Sequence, residues 1–136
     1  MKNISTTLKV LAVLLCLATL KMGAQGMNGV YTINQLQPAS ATNFISFNAL
    51  ATALTASGVA GPVTVNVVAN SGPYNEQVTF PSINGMSAVN NVVINGNNNM
   101  ITFNPFSSSS AWTILMNGAD YMSFNNLVVQ IGRAHV

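Results

Sequence analysis

Between Gly29 and Val129 the chain is a succession of short, apolar, β-branched segments, each ended within a few residues by asparagine or glycine. Val63-Thr-Val-Asn-Val-Val68 alternates apolar and polar side chains, the pattern of a strand with one buried face. Gly29–Ile33, Gln77–Phe80, Asn91–Ile94, Met100–Phe103, Trp112–Met116, Tyr121–Phe124 and Leu127–Val129 predict further strands. Between them lie Asn70-Ser-Gly-Pro73, Asn84-Gly85, Asn95-Gly-Asn-Asn-Asn99 and Asn117-Gly118, whose residues tolerate positive φ and mark sharp turns. The expected class is all-β. Asn-Gly between strands is also a hairpin signal, so an antiparallel β-sandwich stands as the alternative.

A repeat favours a solenoid. Val78-Thr-Phe80, Ile101-Thr-Phe103 and Met122-Ser-Phe124 share the order apolar, hydroxyl, aromatic, and follow one another at nearly equal intervals. The interval falls within roughly 20 to 25 residues, a period typical of stacked coils. In a parallel β-helix, equivalent residues sit about 4.8 Å apart along the axis. Phe80, Phe103 and Phe124 are therefore expected to stack inside, with Thr79, Thr102 and Ser123 in a row outside. Stacked turn asparagines could satisfy one another's amides along the same axis.

One segment departs from the strand rhythm. Phe44, Phe47, Leu50, Ala51 and Leu54 recur at helical spacing between Thr42 and Ser57, with Asn43 or Ser46 to cap the start and Gly58 and Pro62 to end it. A solenoid leaves apolar side chains and unpaired strand edges at its first coil, and an amphipathic helix placed there serves as the cap.

Lys2, Lys9 and Lys21, three of the four cations, flank the apolar run Val10–Leu20. With the small Ala24 beyond, residues 1–24 predict a cleaved secretory signal peptide. A spanning helix needs about 20 apolar residues, and this run is shorter, so no membrane span is expected after signal removal. Cys16 belongs to the signal core. The remaining chain then holds neither lysine nor cysteine, which excludes disulfides and a basic patch for nucleic acid. Residues 25–61 are read as an N-terminal strand and capping helix, and 62–129 as the first coils of an incomplete β-helix. Ile131-Gly-Arg-Ala-His-Val136 continues no earlier pattern, and the codons ATC GGA AGA GCA CAC GTC for it look like the start of a common sequencing adapter. Residues 130–136 are accordingly expected to be adapter read-through, which removes Arg133 and His135 from functional consideration.

The order Asn28-Gly-Val-Tyr-Thr-Ile-Asn34, Thr42-Asn-Phe-Ile-Ser-Phe47, Gly61-Pro-Val-Thr-Val-Asn-Val67, Tyr74-Asn-Glu-Gln-Val78 and Leu115-Met-Asn-Gly-Ala-Asp-Tyr121 resembles the N-terminal part of large secreted right-handed β-helix proteins. That group is similar in fold to the pectin-lyase-like superfamily and is often exported by type IX secretion. The resemblance implies a secreted or cell-surface location, and a sorting domain in the complete protein.

Glu76 and Asp120 are the only acids in the whole chain. Glycoside hydrolases need paired carboxylates, and lyases of the resembled fold use a basic residue. Glu76 and Asp120 lie two repeats apart with no basic partner, and both have simpler roles, Asp120 in the turn after Asn117-Gly-Ala and Glu76 ahead of a strand. No phosphate loop, metal-ligand cluster or nucleophile paired with a base is found, so no catalytic, cofactor or metal residue is assigned. The expected function is a non-catalytic, adhesin-like or glycan-contacting surface module. Its Asn, Ser and Thr faces can bond extracellular polysaccharide or cell-surface glycans, with Trp112 and Tyr74 as candidate stacking platforms. The rival is the cap and first coils of a polysaccharide lyase or glycoside hydrolase whose catalytic residues lie downstream. Self-association is expected through an uncapped last strand.

Overall fold

The computed structural model describes residues 25–132. The expected signal peptide, Arg133, His135 and the rest of 133–136 lie outside the described residues. Ten strands and one α-helix follow in the order β1 (Met27–Ile33), β2 (Asn43–Phe44), α1 (Phe47–Ser57), β3 (Val59–Val67), β4 (Tyr74–Asn75), β5 (Val78–Pro81), β6 (Val92–Asn95), β7 (Met100–Phe103), β8 (Ile114–Asn117), β9 (Met122–Asn125) and β10 (Val128–Ile131). The protein is mostly β, as expected from its alternating, β-branched segments. No described helix is long and apolar enough to cross a membrane.

The strands form three sheets, ordered β2-β1-β3-β6-β9, β4-β7-β10 and β5-β8. All seven strand pairings are parallel, and the one antiparallel contact is an isolated bridge between Pro81 and Gly118. The Asn-Gly pairs therefore turn corners between sheets rather than closing hairpins. From β3 onward the chain visits the first, second and third sheets in turn, visits all three again through β6, β7 and β8, and then returns to the first and second through β9 and β10.

The register corrects the expected repeat. In the first sheet Val63 faces Val92, and Val92 faces Met122. In the second Tyr74 faces Ile101, and Met100 faces Val128. Each of these steps along the chain is longer than the interval between successive members of the Phe80, Phe103, Phe124 series. In the third sheet Val78 faces Ile114, a longer step again, because the connection from β7 to β8 carries an additional loop. Phe80, Phe103 and Phe124 consequently stand on three different sheets, and Thr79, Thr102 and Ser123 form no row. The shared apolar-hydroxyl-aromatic order reflects the in-out-in alternation of any strand here, not vertical equivalence. Phe80 and Phe124 still meet across the interior, their centroids 6.0 Å apart.

Stacked asparagines are present. Asn66, Asn95 and Asn125 share one register position of the first sheet. Asn95 Nδ2 donates to Asn66 Oδ1 at 3.0 Å, and Asn125 Nδ2 donates to Asn95 Oδ1 at 3.1 Å. At a neighbouring corner, buried Asn99 donates to the carbonyls of Val68 and Gly96, and its Oδ1 accepts the N–H of Gly72. Amide side chains thus carry hydrogen bonds from one circuit to the next where the backbone turns away from its ladder.

Helix α1 starts later than its apolar spacing suggests. Asn43 and Phe44 pair in parallel with Thr32 and Ile33, so Phe44 belongs to β2 and packs on Tyr31. Ser46 is the N-cap, accepting the N–H of Ala49, and Gly58 ends the helix at φ 67°. Phe47, Leu50, Ala51 and Leu54 are buried and join Ile33, Val63, Val65, Val78, Phe80 and Ile94 in one core. β3 begins directly after the helix, so the boundary expected at residue 61 falls inside a strand. β10 likewise runs past Val129: Gln130 and Ile131 pair with Thr102 and Phe103.

Candidate functional site

Where the exposed side of α1 passes β5, a groove of about 520 Å³ opens. The helix contributes Asn48, Thr52 and Thr55, and the strand side Gln77 and Thr79, with Ala51, Ala56 and Pro81 as the apolar surface. Its volume lies within the usual range for small-ligand sites, and none of these side chains is ionisable. The helix threonines are internally engaged, since Thr52 Oγ1 donates to the Asn48 carbonyl and Thr55 Oγ1 to that of Ala51. Gln77 Nε2 is held by the carbonyls of Ser110 and Trp112. The groove is therefore rigidly furnished with amide and hydroxyl groups, and its chemistry is hydrogen bonding rather than proton transfer.

Glu76 does not line the groove but binds the start of α1. Its Oε1 accepts the N–H of Phe47 at 2.8 Å, and its Oε2 accepts the N–H and Nδ2 of Asn48 at 2.9 and 2.7 Å. With Ser46 taking the N–H of Ala49, the first three helical donors are all satisfied. A carboxylate so engaged is a helix cap. Asp120 is exposed, between buried Ala119 and Tyr121. The two acids occupy different corners, Glu76 between the second and third sheets and Asp120 between the third and first, so they are not aligned along one line of stacked coils. No group of three or more potential metal-binding side chains occurs among the described residues.

The candidate stacking residues are placed elsewhere than a glycan surface requires. Tyr74 is 2 % exposed, its ring edge-on to Phe47 at 5.2 Å, and its hydroxyl lies 2.7 Å from Ser71 Oγ and 3.3 Å from the Ile33 carbonyl. Burial pushes the Tyr74 phenol up, against the opposing effect of the Ser71 hydrogen bond. It is a core residue, with no free ring face. Trp112 is half-buried, and its indole N–H is enclosed without an acceptor. The open aromatic rings are Phe106, 93 % exposed, and Tyr121, 54 % exposed. A sequence signal existed for Phe106, which lies in a Pro- and Ser-rich loop outside any alternating segment; Tyr121 heads a predicted strand, and only its positive φ of 52° turns the ring outward from it.

No family model, curated protein or solved structure matches the chain.

Proposed function

We propose that this chain is a non-catalytic extracellular module, the capped start of a parallel β-helix, whose groove between α1 and β5 contacts a neutral glycan. The carrying observation is the groove's lining: amides and hydroxyls set in a surface that is apolar for the larger part, with no ionisable side chain. Such a lining suits a polyhydroxylated, uncharged ligand and gives an anionic polysaccharide no cation to pair with. The solenoid reading is supported by the repeated visits to three parallel sheets and by the Asn66–Asn95–Asn125 ladder. The secreted location rests on residues 1–24.

A neutral-glycan array probed with the exported chain, alongside Ala56→Trp, tests the binding role. Ala56 is exposed on α1, so the indole fills the groove without entering the core. Binding that falls at least about tenfold in the variant is the expected result. Absence of binding by the unaltered chain across the array, or binding indifferent to Ala56→Trp, overturns the assignment.

A further inference from the structure

The side chains that line the groove between α1 and β5 have little left to donate. Asn48 Nδ2 directs its hydrogens to Glu76 Oε2 at 2.7 Å and to the Gln77 carbonyl at 3.0 Å. Gln77 Nε2 directs its own to the carbonyls of Ser110 and Trp112, at 2.8 and 2.9 Å. All of these partners are oxygens that only accept, so neither amide can be turned over without setting its carbonyl against them. The Thr52 and Thr55 hydroxyls donate back along the helix at 2.9 and 2.7 Å. Among the described residues nothing donates to Asn48 Oδ1, Gln77 Oε1 or the Oγ1 atoms of Thr52, Thr55 and Thr79. Thr79 keeps the remaining donors, its hydroxyl and its N–H. Val78 N–H donates to the Thr113 carbonyl on the β8 side, so alternation turns the Thr79 N–H to the outer edge of β5.

We infer that the groove recognises its ligand through the ligand's own hydroxyl donors, received by Thr52 Oγ1 and Thr55 Oγ1 on the helix wall and by Gln77 Oε1 on the strand wall. This deepens the neutral-glycan assignment and rests on it. Thr52 and Thr55 stand one helical turn apart on the exposed side of α1, which sets their Cβ atoms about 5–6 Å from each other. Two hydroxyls of one sugar ring span that separation together with their hydrogen bonds. A group that only accepts, such as a carboxylate or a sulfate ester, meets oxygens with oxygens and finds donors at Thr79 alone. A protonated amine donates, but Glu76 already accepts from Phe47 and Asn48, so the cation would lose water without a free counter-charge. A polyol donates, carries no charge and lays its C–H faces on Ala51, Ala56 and Pro81.

Titration calorimetry of the full 136-residue chain with unsubstituted hexaoses of glucose, galactose and mannose, and with monodeoxyfluoro forms of whichever binds, tests this. Fluorine is close to a hydroxyl in size and cannot donate. Fluorination of at least one position is expected to weaken binding at least about tenfold. The double variant Thr52→Val with Thr55→Val keeps the branched shape and is expected to weaken binding of the parent sugar by a similar factor. In that variant the same fluorination should cost little more, because both changes remove one set of bonds. Thr52→Ser with Thr55→Ser restores the oxygens and is expected to recover most of the loss, which separates missing acceptors from a disturbed helix. Affinity indifferent to fluorination at every position, losses that simply add, or a sulfated hexaose bound as tightly as its parent overturns the donor inference. In each of those cases binding that remains sensitive to Ala56→Trp leaves the glycan assignment standing. Absence of binding by every hexaose overturns that assignment and this inference with it.

Discussion

Glu76 Oε1 accepts the backbone N–H of Phe47 at 2.8 Å, joining the corner before β5 to the first turn of a helix much earlier in the chain. One of the two acids in the chain is thus occupied in fastening α1 to the corner between β4 and β5. Replacing it tests that role. Glu76→Ala is expected to lower stability by about 1–2 kcal/mol, the usual range for loss of a helix N-cap, and Glu76→Gln by less, because one acceptor oxygen remains. Urea unfolding of the three proteins measures this, and equal stabilities refute the fastening role.

The asparagine ladder makes a second prediction. Asn95 both donates to Asn66 and accepts from Asn125, so Asn95→Ala removes two hydrogen bonds and is expected to cost about 1–2 kcal/mol. Asn95→Asp keeps the acceptor for Asn125 but sets a carboxylate against Asn66 Oδ1, so the ionised form should be less stable than the alanine variant. Thermal unfolding at neutral pH ranks the three.

Gly96 is expected to tolerate no side chain. A Cβ there would lie 2.6 Å from both the Asn126 carbonyl oxygen and the Leu127 Cα, backbone that belongs to the next circuit. Gly96→Ala should destabilise by about 1–3 kcal/mol through overpacking, with hydrogen exchange accelerated first between β6 and β9. A melting temperature equal to that of the unaltered protein counts against so close an approach of the two circuits.

Tyr74 carries the pH prediction. Its phenol titrates above the ordinary value of 10.0 because burial disfavours the phenolate. The unfolded chain therefore loses this proton first, and the stability is fully present below pH 10 and declines as pH rises through the folded-state value. Unfolding free energies measured from pH 8 to 11 should show a decline that is shallower in Tyr74→Phe. The same variant should leave any glycan affinity unchanged, because the ring is inside.

The strands were legible because each satisfies a local rule: alternation, β-branching and a terminating Asn or Gly. All eight predicted strands are present, with ends displaced by a few residues. The helix, its end at Gly58, and Ser46, one of the two N-cap candidates beside Asn43, were equally local. Which strand lies on which was not legible, since Val78-Thr-Phe80 and Ile101-Thr-Phe103 carry the same in-out-in pattern on different sheets. The loop between Phe103 and Ile114 lengthens only one corner, so no single period describes the chain. β2 and β4 are too short for any periodicity. In the candidate site, the strand pattern places Gln77 in a strand and Thr79 in an outward hydroxyl row, but not opposite Thr52 and Thr55, because that position depends on how α1 docks. Tyr74 illustrates the converse: an aromatic residue beside a turn resembles a surface platform until Phe47 is brought against it.

The step from Val78 to Ile114 on the third sheet, longer than that from Val63 to Val92 on the first or from Tyr74 to Ile101 on the second, has an engineering consequence. The surplus residues leave and re-enter at one corner while β5 and β8 remain paired in register, so chain length there is uncoupled from strand pairing. Foreign peptides grafted between Asn104 and Ala111 should be displayed outward, leaving the alignment of every sheet unchanged.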